Sequence, residues 1–201
     1  MSVEPIARVR ISLKHIEPEI WRLVEVPLGL HLKGLHDVIQ AAFCWLDYHL
    51  FEFQIGARRY GVPDPDSDDE LRRAKSTRLA ALVAGGIDRF DYLYDFGDDW
   101  EHTVVIEATA AGDPDRDYPR FVAGARRCPP EDVGGPLGFS DFLEAVANRR
   151  HAEHRRMIEW YGGTFDADDL DLSEIHRRLA ALAKRRRDGL LGYAKSRLNT
   201  R

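Results

Sequence analysis

Apolar and polar residues alternate along several separate stretches of this chain, and this pattern constrains its fold more than any other feature. Along residues 6–13, the apolar side chains of Val9 and Ile11 are separated by arginines. A period of two residues is typical of a strand with one buried face. Residues 20–26 repeat this β character after a break at Pro18, which has no backbone N–H to donate. The sequence therefore predicts that the two strands pair as a hairpin.

The same reasoning extends to the rest of the chain. Alternation predicts one extra strand at residues 50–56 and a second hairpin from residues 90–95 and 103–108. Apolar spacings of three and four predict helices at 32–43, 72–84, from an N-cap at Ser140 onward, 153–160 and 175–182, the last fraying at Gly189 and Gly192. We therefore expect an α+β fold: a mainly antiparallel sheet of two hairpins plus an extra strand, packed by an N-terminal helix and C-terminal helices.

Length and charge indicate how the chain is organised. A chain of 201 residues, 44% of them hydrophobic, fits one domain with a buried core. The net charge of -5 excludes a global attraction to nucleic acid or to an anionic membrane. Residues 6–183 are predicted to form the domain and residues 184–201 a basic tail, ordered or disordered. Five acids within residues 64–70 predict a solvated loop.

Cysteine usage and hydropathy indicate the compartment. Cys44 and Cys128 are too few for a disulfide framework, which is typical of a protein in a reducing compartment. No apolar run approaches the roughly 18–20 residues that span a bilayer, and the first residues lack the profile of a signal peptide. We expect a cytoplasmic protein without a membrane partner, in which Cys128 is a buried, idle thiol.

Residues 92–102 contain four carboxylates and one imidazole, an unusual density of groups that bind metals or transfer protons. Together with two acids of a Pro- and Gly-rich loop they give the candidate catalytic residues Asp95, Asp98, Asp99, His102, Glu131 and Asp132. A divalent metal is the one cofactor that such a set suggests; no other is identified. A structural interpretation stays open, in which the aspartates accept turn N–H groups and His102 packs in the core.

Aromatic residues define a second candidate site. The predicted binding cleft consists of Trp45, His49, Tyr94, Trp100 and Trp160. Its alternative is that Trp100 and Trp160 only attach irregular loops to the sheet. His36, Asp47 and His49 around the end of the first helix are a further possible metal group, although their spacing matches no compact metal motif.

The strongest local charge lies near the C-terminus, at Lys184, Arg185, Arg186 and Arg187. Such a run can neutralise phosphates and would give salt-sensitive nucleic-acid binding. The alternative is a solvated face of a helix.

Six motifs occur in a fixed order along the chain. They are Ile-Trp-Arg at residues 20–22, the helix at 35–43, His-Leu-Phe-Glu-Phe at 49–53, Tyr-Asp-Phe-Gly-Asp-Asp-Trp-Glu-His at 94–102, Cys-Pro-Pro-Glu-Asp-Val-Gly-Gly-Pro at 128–136 and Glu-Trp-Tyr-Gly-Gly-Thr-Phe-Asp at 159–166. Over roughly residues 6 to 183 the chain resembles the plasmid pRiA-type ORF-three-like domain family, which includes insertion-element passenger proteins labelled as resolvase. The resemblance implies an α+β fold and a bacterial plasmid or mobile-element origin.

The resemblance leaves the function unassigned. The residues indicate neither a serine recombinase nor a tyrosine recombinase. Ser12 lies in a strand pattern, and Tyr193 lies in a C-terminal tail that is poor in apolar residues. Many relatives have histidine where this chain has Phe51, so one possible metal ligand is absent. The first hypothesis is a binding or interaction module with an acidic aromatic cleft and a tail that contacts nucleic acid. The alternatives are a metal-assisted hydrolase or nuclease that uses the clustered carboxylates, and a protein-protein adaptor.

Overall fold

A computed structural model describes residues 3–64, 66 and 70–198, the last eight of them by backbone alone. The strands are β1 (Pro5–Leu13), β2 (Trp21–Pro27), β3 (Phe51–Ile55), β4 (Arg58–Gly61), β5 (Arg72–Arg73), β6 (Arg89–Tyr94), β7 (Trp100–Ala111) and β8 (Arg120–Ala125). The helices are α1 (Leu32–Phe43), α2 (Leu79–Ala84), α3 (Gly135–Ala147), α4 (His154–Tyr161) and α5 (Leu172–Leu198), with a short 3-10 helix at Ala74–Ser76. Part of the predicted acidic loop and the end of the predicted tail, residues 199–201, lie outside these ranges.

The strands form one sheet in the order β5-β4-β3-β6-β7-β1-β2-β8. All neighbours are antiparallel except β4 and β5, which run parallel. The α+β class and both predicted hairpins, β1 with β2 and β6 with β7, are confirmed. The sheet is larger than two hairpins plus one strand, because β4, β5 and β8 also pair into it.

The helix predicted at residues 72–84 is wrong in its first half. Residues 72 and 73 are extended and pair with Tyr60 and Gly61 of β4, and only Leu79–Ala84 is α-helical. The backbone between them is held by other partners, since Leu32 donates to the carbonyl of Thr77 at 3.0 Å. Sheet pairing therefore outweighs helical propensity in this segment.

The C-terminal helices also differ from the prediction at their ends. Helix α3 begins at Gly135, so Ser140 lies inside it rather than at its N-cap. Gly134 takes a left-handed conformation at the N-cap, and Pro136 follows in the first turn, where the missing N–H of proline costs no hydrogen bond. Helix α5 continues past Gly189 to Leu198, so its backbone is helical across residues predicted to fray.

The hydrophobic core joins one face of the sheet to the helices. Val9, Ile11 and Leu13 of β1 are buried, as the alternation predicts, and so are the apolar residues of α1. The same cluster includes buried side chains of α2, α3 and α5. None of the helices in the described part of the chain combines the length and apolar character that a bilayer-spanning helix requires.

Candidate functional site

Three loops meet at one end of the sheet, where β3 begins and β6 ends. Phe51 pairs with Tyr94, the last residue of β6, so the residues just beyond these strand ends lie side by side. The N–H of Asp95 donates to the carbonyl of Leu50 at 2.9 Å. The third loop precedes α3 and is attached through Gly134, whose N–H donates to Asp98 Oδ2 at 3.1 Å. The register of β3 and β6 and the hydrogen bond between Gly134 and Asp98 therefore bring together segments that are distant in sequence.

At this junction one histidine nitrogen faces two carboxylates. His49 Nε2 lies 3.1 Å from Asp132 Oδ1 and 3.4 Å from Asp95 Oδ2. The nitrogen is shielded from solvent, yet neither contact has hydrogen-bond geometry and no other described atom is its hydrogen-bond partner. The Asp95 side chain is only 8% exposed, whereas that of Asp132 is 66% exposed. One nitrogen and two oxygens thus converge on a point that is open to solvent on the Asp132 side.

Local backbone geometry orients both aspartates. Asp95 and Asp132 each have a φ of 57°. This left-handed conformation is one that aspartate tolerates better than most residues. Asp95 Oδ1 accepts the N–H groups of Gly97 at 2.9 Å and Asp98 at 3.3 Å. These bonds occupy one oxygen of Asp95 and leave the other, Oδ2, facing His49.

A partly buried carboxylate, that of Glu131, lies next to this group. Glu131 Oε1 accepts the N–H of Leu46 at 2.7 Å and the hydroxyl of Tyr94 at 3.1 Å. Partial burial raises the pKa of Glu131, and the neighbouring Asp132 acts in the same direction. Burial, followed by the Glu131 charge, raises the pKa of Tyr94. Tyr94 is therefore a protonated donor, and Glu131 is a carboxylate suited to accepting a proton.

A second histidine-aspartate group, His36 with Asp37 and Asp47, is different in character. His36 Nε2 is 2.7 Å from Asp47 Oδ1, and its Nδ1 is 2.8 Å from the hydroxyl of Tyr92. The Lys33 ammonium lies 2.7 Å from Asp37 and 3.3 Å from Asp47. Burial lowers the pKa of His36 to about 4, so the ring is neutral. A lysine already supplies the cation here, and both ring nitrogens have partners.

The structure brings together only part of the predicted catalytic set. Asp95, Glu131 and Asp132 lie at the junction with His49. Asp98 connects two loops through Gly134, as described above. Asp99 is exposed, and its side chain makes no hydrogen bond or ion pair with the described residues.

His102 lies in the core rather than at the site. It is fully buried, and its Nδ1 contacts the carbonyl of Trp100 at 2.9 Å. The rings of Phe43 and Trp45 meet it edge-on at 5.0 and 5.3 Å. Burial lowers the pKa of His102 to about 3. A neutral histidine enclosed by aromatic rings cannot exchange protons with a substrate in solution.

The predicted aromatic cleft separates into two places. Trp45, Tyr94 and Trp100 are buried beneath the junction, where the rings of Trp45 and Tyr94 stack with centroids 5.0 Å apart. Trp160 lies on α4, 47% exposed, and meets Phe142 of α3 edge-on at 5.8 Å. The first three therefore support the site from below, and Trp160 belongs to a different surface.

That surface is a cavity of about 550 Å³ between α3 and α4. Its apolar side includes Phe142, Met157 and Trp160, and its polar side includes Asp141 and Glu144. Asp132 lines it as well, so the cavity adjoins the histidine-aspartate junction. These two acids of α3 were not predicted as site residues, although their spacing of three places both on one helical face.

The loop that carries Glu131 and Asp132 is anchored by a buried arginine. Arg22 is 1% exposed. Its guanidinium donates to the carbonyls of Trp21, Ala42, Ala125 and Arg126 at 2.8–2.9 Å and to Cys128 Sγ at 3.0 Å. All five N–H groups are therefore used. Cys44 and Cys128 are free, and burial raises the pKa of Cys128 to about 12, so this thiol is not ionised at neutral pH.

The basic run near the C-terminus is partly neutralised within the fold. Arg186 pairs with Glu4, and Arg187 pairs with Asp117. Lys184 and Arg185 are exposed and form no ion pair with the residues that the structure describes. Two of the four predicted nucleic-acid contacts are thus paired with acids that lie just before β1 and between β7 and β8.

Comparisons with known proteins agree with this architecture. A sequence model of the family described as "Plasmid pRiA4b ORF-3-like protein" matches residues 5–174. The "Uncharacterized protein y4hQ" of Sinorhizobium fredii (strain NBRC 101917 / NGR234) is 37% identical over 185 residues, which cover 90% of this chain and 94% of that protein. The crystal structure of the protein of unknown function MM3350 from Methanosarcina mazei Go1 has a TM-score of 0.79 and 31% identity, covering 86% of this chain and 98% of that one.

Proposed function

The chain belongs to the plasmid pRiA4b ORF-3-like protein family, and we propose that it binds one divalent metal ion between His49, Asp95 and Asp132 and uses this ion to activate water for hydrolysis. The named relatives are of unknown function. The proposal therefore rests on the chemistry of the site.

The observation that carries the proposal is the spacing of the three side chains. Ligand atoms bound about 2.0–2.2 Å from one metal ion lie about 2.8–3.6 Å from their neighbours in octahedral or tetrahedral coordination. His49 Nε2 is 3.1 and 3.4 Å from the two carboxylate oxygens. His49 Nε2 has no hydrogen-bond partner among the described atoms, so a cation at this point would displace none. One imidazole and two carboxylates suit zinc or manganese better than calcium.

The surroundings support a catalytic ion over a structural one. Three protein ligands leave at least one coordination position for water, and a bound metal lowers the pKa of that water. Solvent reaches the site along Asp132. Glu131, the residue before Asp132, would be the proton acceptor for such a water, and partial burial raises its pKa.

Metal binding is tested by elemental analysis of natively purified protein and by calorimetric titration of the chelator-treated protein with Zn²⁺, Mn²⁺ and Mg²⁺. We expect one ion per chain. At a free-metal concentration of 100 times the dissociation constant, binding stabilises the fold by about 2.7 kcal/mol. For a chain of this size, that stabilisation raises the melting temperature by about 5–10 °C.

The structure provides matched variants for this test. Asp132→Asn and His49→Ala should remove the ion and the thermal shift. Asp99→Asn is the control, because Asp99 has a φ of 59° in the neighbouring loop and its exposed side chain has no hydrogen bond or ion pair with the three proposed ligands. Absence of a bound ion and of a thermal shift, or an equal loss in Asp99→Asn and Asp132→Asn, contradicts the metal site.

Hydrolysis is measured with the chromogenic substrates p-nitrophenyl acetate and bis(p-nitrophenyl) phosphate. The metal-loaded protein should turn over at least one of them, and Glu131→Gln should lower turnover while metal stays bound. A metal-loaded protein that hydrolyses neither ester refutes the hydrolytic part of the proposal.

A further inference from the structure

The cavity between α3 and α4 has an apolar wall that is open to solvent. Trp160 is 47% exposed, and Met157 stands one helical turn before it on α4. Phe142, 2% exposed, forms the floor from α3. An exposed tryptophan beside a cavity of about 550 Å³ offers an apolar ligand a flat contact surface.

The polar side of the same cavity is acidic. Asp141 and Glu144 line it from α3, and neither side chain has a hydrogen bond or ion pair in the described part of the chain. Glu153 and Arg156 also line it but pair with each other, and His151 lines it with its Nδ1 accepting the N–H of Glu153 at 3.2 Å. The exposed carboxylates of Asp141 and Glu144 therefore have no counter-charge among the described residues, and Asp132, which faces His49, lies at the edge of the same cavity.

We infer that this cavity binds the part of the substrate that carries a positive charge on an apolar stem, such as an alkylammonium or arylalkylammonium group. The apolar stem packs against Trp160, whose ring face also attracts cations, and the ammonium group lies between Asp141 and Glu144. This inference rests on the proposed function. Asp132 both lines the cavity and is a proposed ligand, so a substrate held in the cavity would have its scissile bond near the metal.

Binding is tested with phenethylamine as the cationic probe and 2-phenylethanol as its neutral counterpart, by calorimetry on chelator-treated and metal-loaded protein. We expect the amine to bind both forms and the alcohol to bind more weakly. Asp141→Asn and Glu144→Gln should each lower the affinity for the amine by about two- to fivefold, which is the range that exposed charge pairs contribute. Neither substitution should change the affinity for the alcohol. High salt should reduce the difference between the probes.

The control is Glu159→Gln. Glu159 is an exposed acid on α4 that pairs with Arg155 and does not line the cavity, so its removal changes net charge equally and should leave the amine affinity unchanged. Equal affinity for amine and alcohol, or equal effects of Glu159→Gln and Glu144→Gln, overturns the inference. If the chain binds the amine but binds no metal, the proposed function is refuted and this inference is not, because metal binding and amine binding are measured separately.

Discussion

Replacing Arg22 by lysine keeps a buried positive charge but removes most of the hydrogen bonds around it. The arginine makes five contacts, four to backbone carbonyls and one to Cys128 Sγ. A lysine ammonium has three donors, so at least two of these buried acceptors lose their partner. An unsatisfied buried polar group costs about 1–3 kcal/mol. Arg22→Lys should therefore destabilise the fold by about 2–6 kcal/mol.

The measurement is urea unfolding at pH 7.5, followed by circular dichroism and analysed as a free energy of unfolding. Arg8→Lys is the matched control, because Arg8 is 47% exposed on the neighbouring strand and a lysine ammonium can still pair with its partner Glu25, which also keeps its ion pair with Arg120. Cys128→Ala should cost less than Arg22→Lys, since sulfur is a weak acceptor. A free energy of unfolding of Arg22→Lys within about 1 kcal/mol of the wild-type value, with the same dependence on urea concentration, would refute this reasoning.

Two further predictions concern stability. His36 and His102 have pKa values lowered to about 4 and about 3, below the value of about 6.5 in an unfolded chain. The unfolded state therefore binds more protons at acidic pH, and stability is full above pH 6.5 and declines as the pH falls. Urea titrations in the presence of EDTA should show a loss of about 2 kcal/mol per histidine between pH 7.5 and 5.0, and a flat profile would contradict it. Gly135→Ala should destabilise by more than about 1 kcal/mol, because φ is +68° and the new Cβ would lie 2.3 Å from the carbonyl oxygen of Asp98. Gly29→Ala, with open space around it, is the control, and equal melting temperatures for the two variants would contradict the clash.

The elements that were predictable from the sequence are those with a clear period. Residues 6–13 and 32–43 have regular apolar spacing, and both appear as predicted, as β1 and α1. β4 and β8 were missed because their arginines and small residues interrupt alternation. β5 has only two residues, and its conformation is set by its partner β4, which no local pattern reveals.

The parts of the candidate site that were predictable are those that lie in local sequence motifs. Asp95 and Asp132 were identified from dense acidic motifs, but their neighbour His49 comes from a third segment and is placed there by the Phe51–Tyr94 register. For His102 the structural interpretation agrees with the fold, and the sequence contains the signal for it. In a strand it shares a face with Trp100 and Val104, and that face is buried.

The three proposed metal ligands also have a temporal order, because a ribosome makes them one after another. His49 and Asp95 are synthesised well before Asp132, and they meet only after β3 and β6 have paired. The site is therefore complete only when the loop before α3 has docked on a finished sheet. A chain in which this loop has not docked lacks one of the three ligands, so capture of the proposed ion would report docking of the loop.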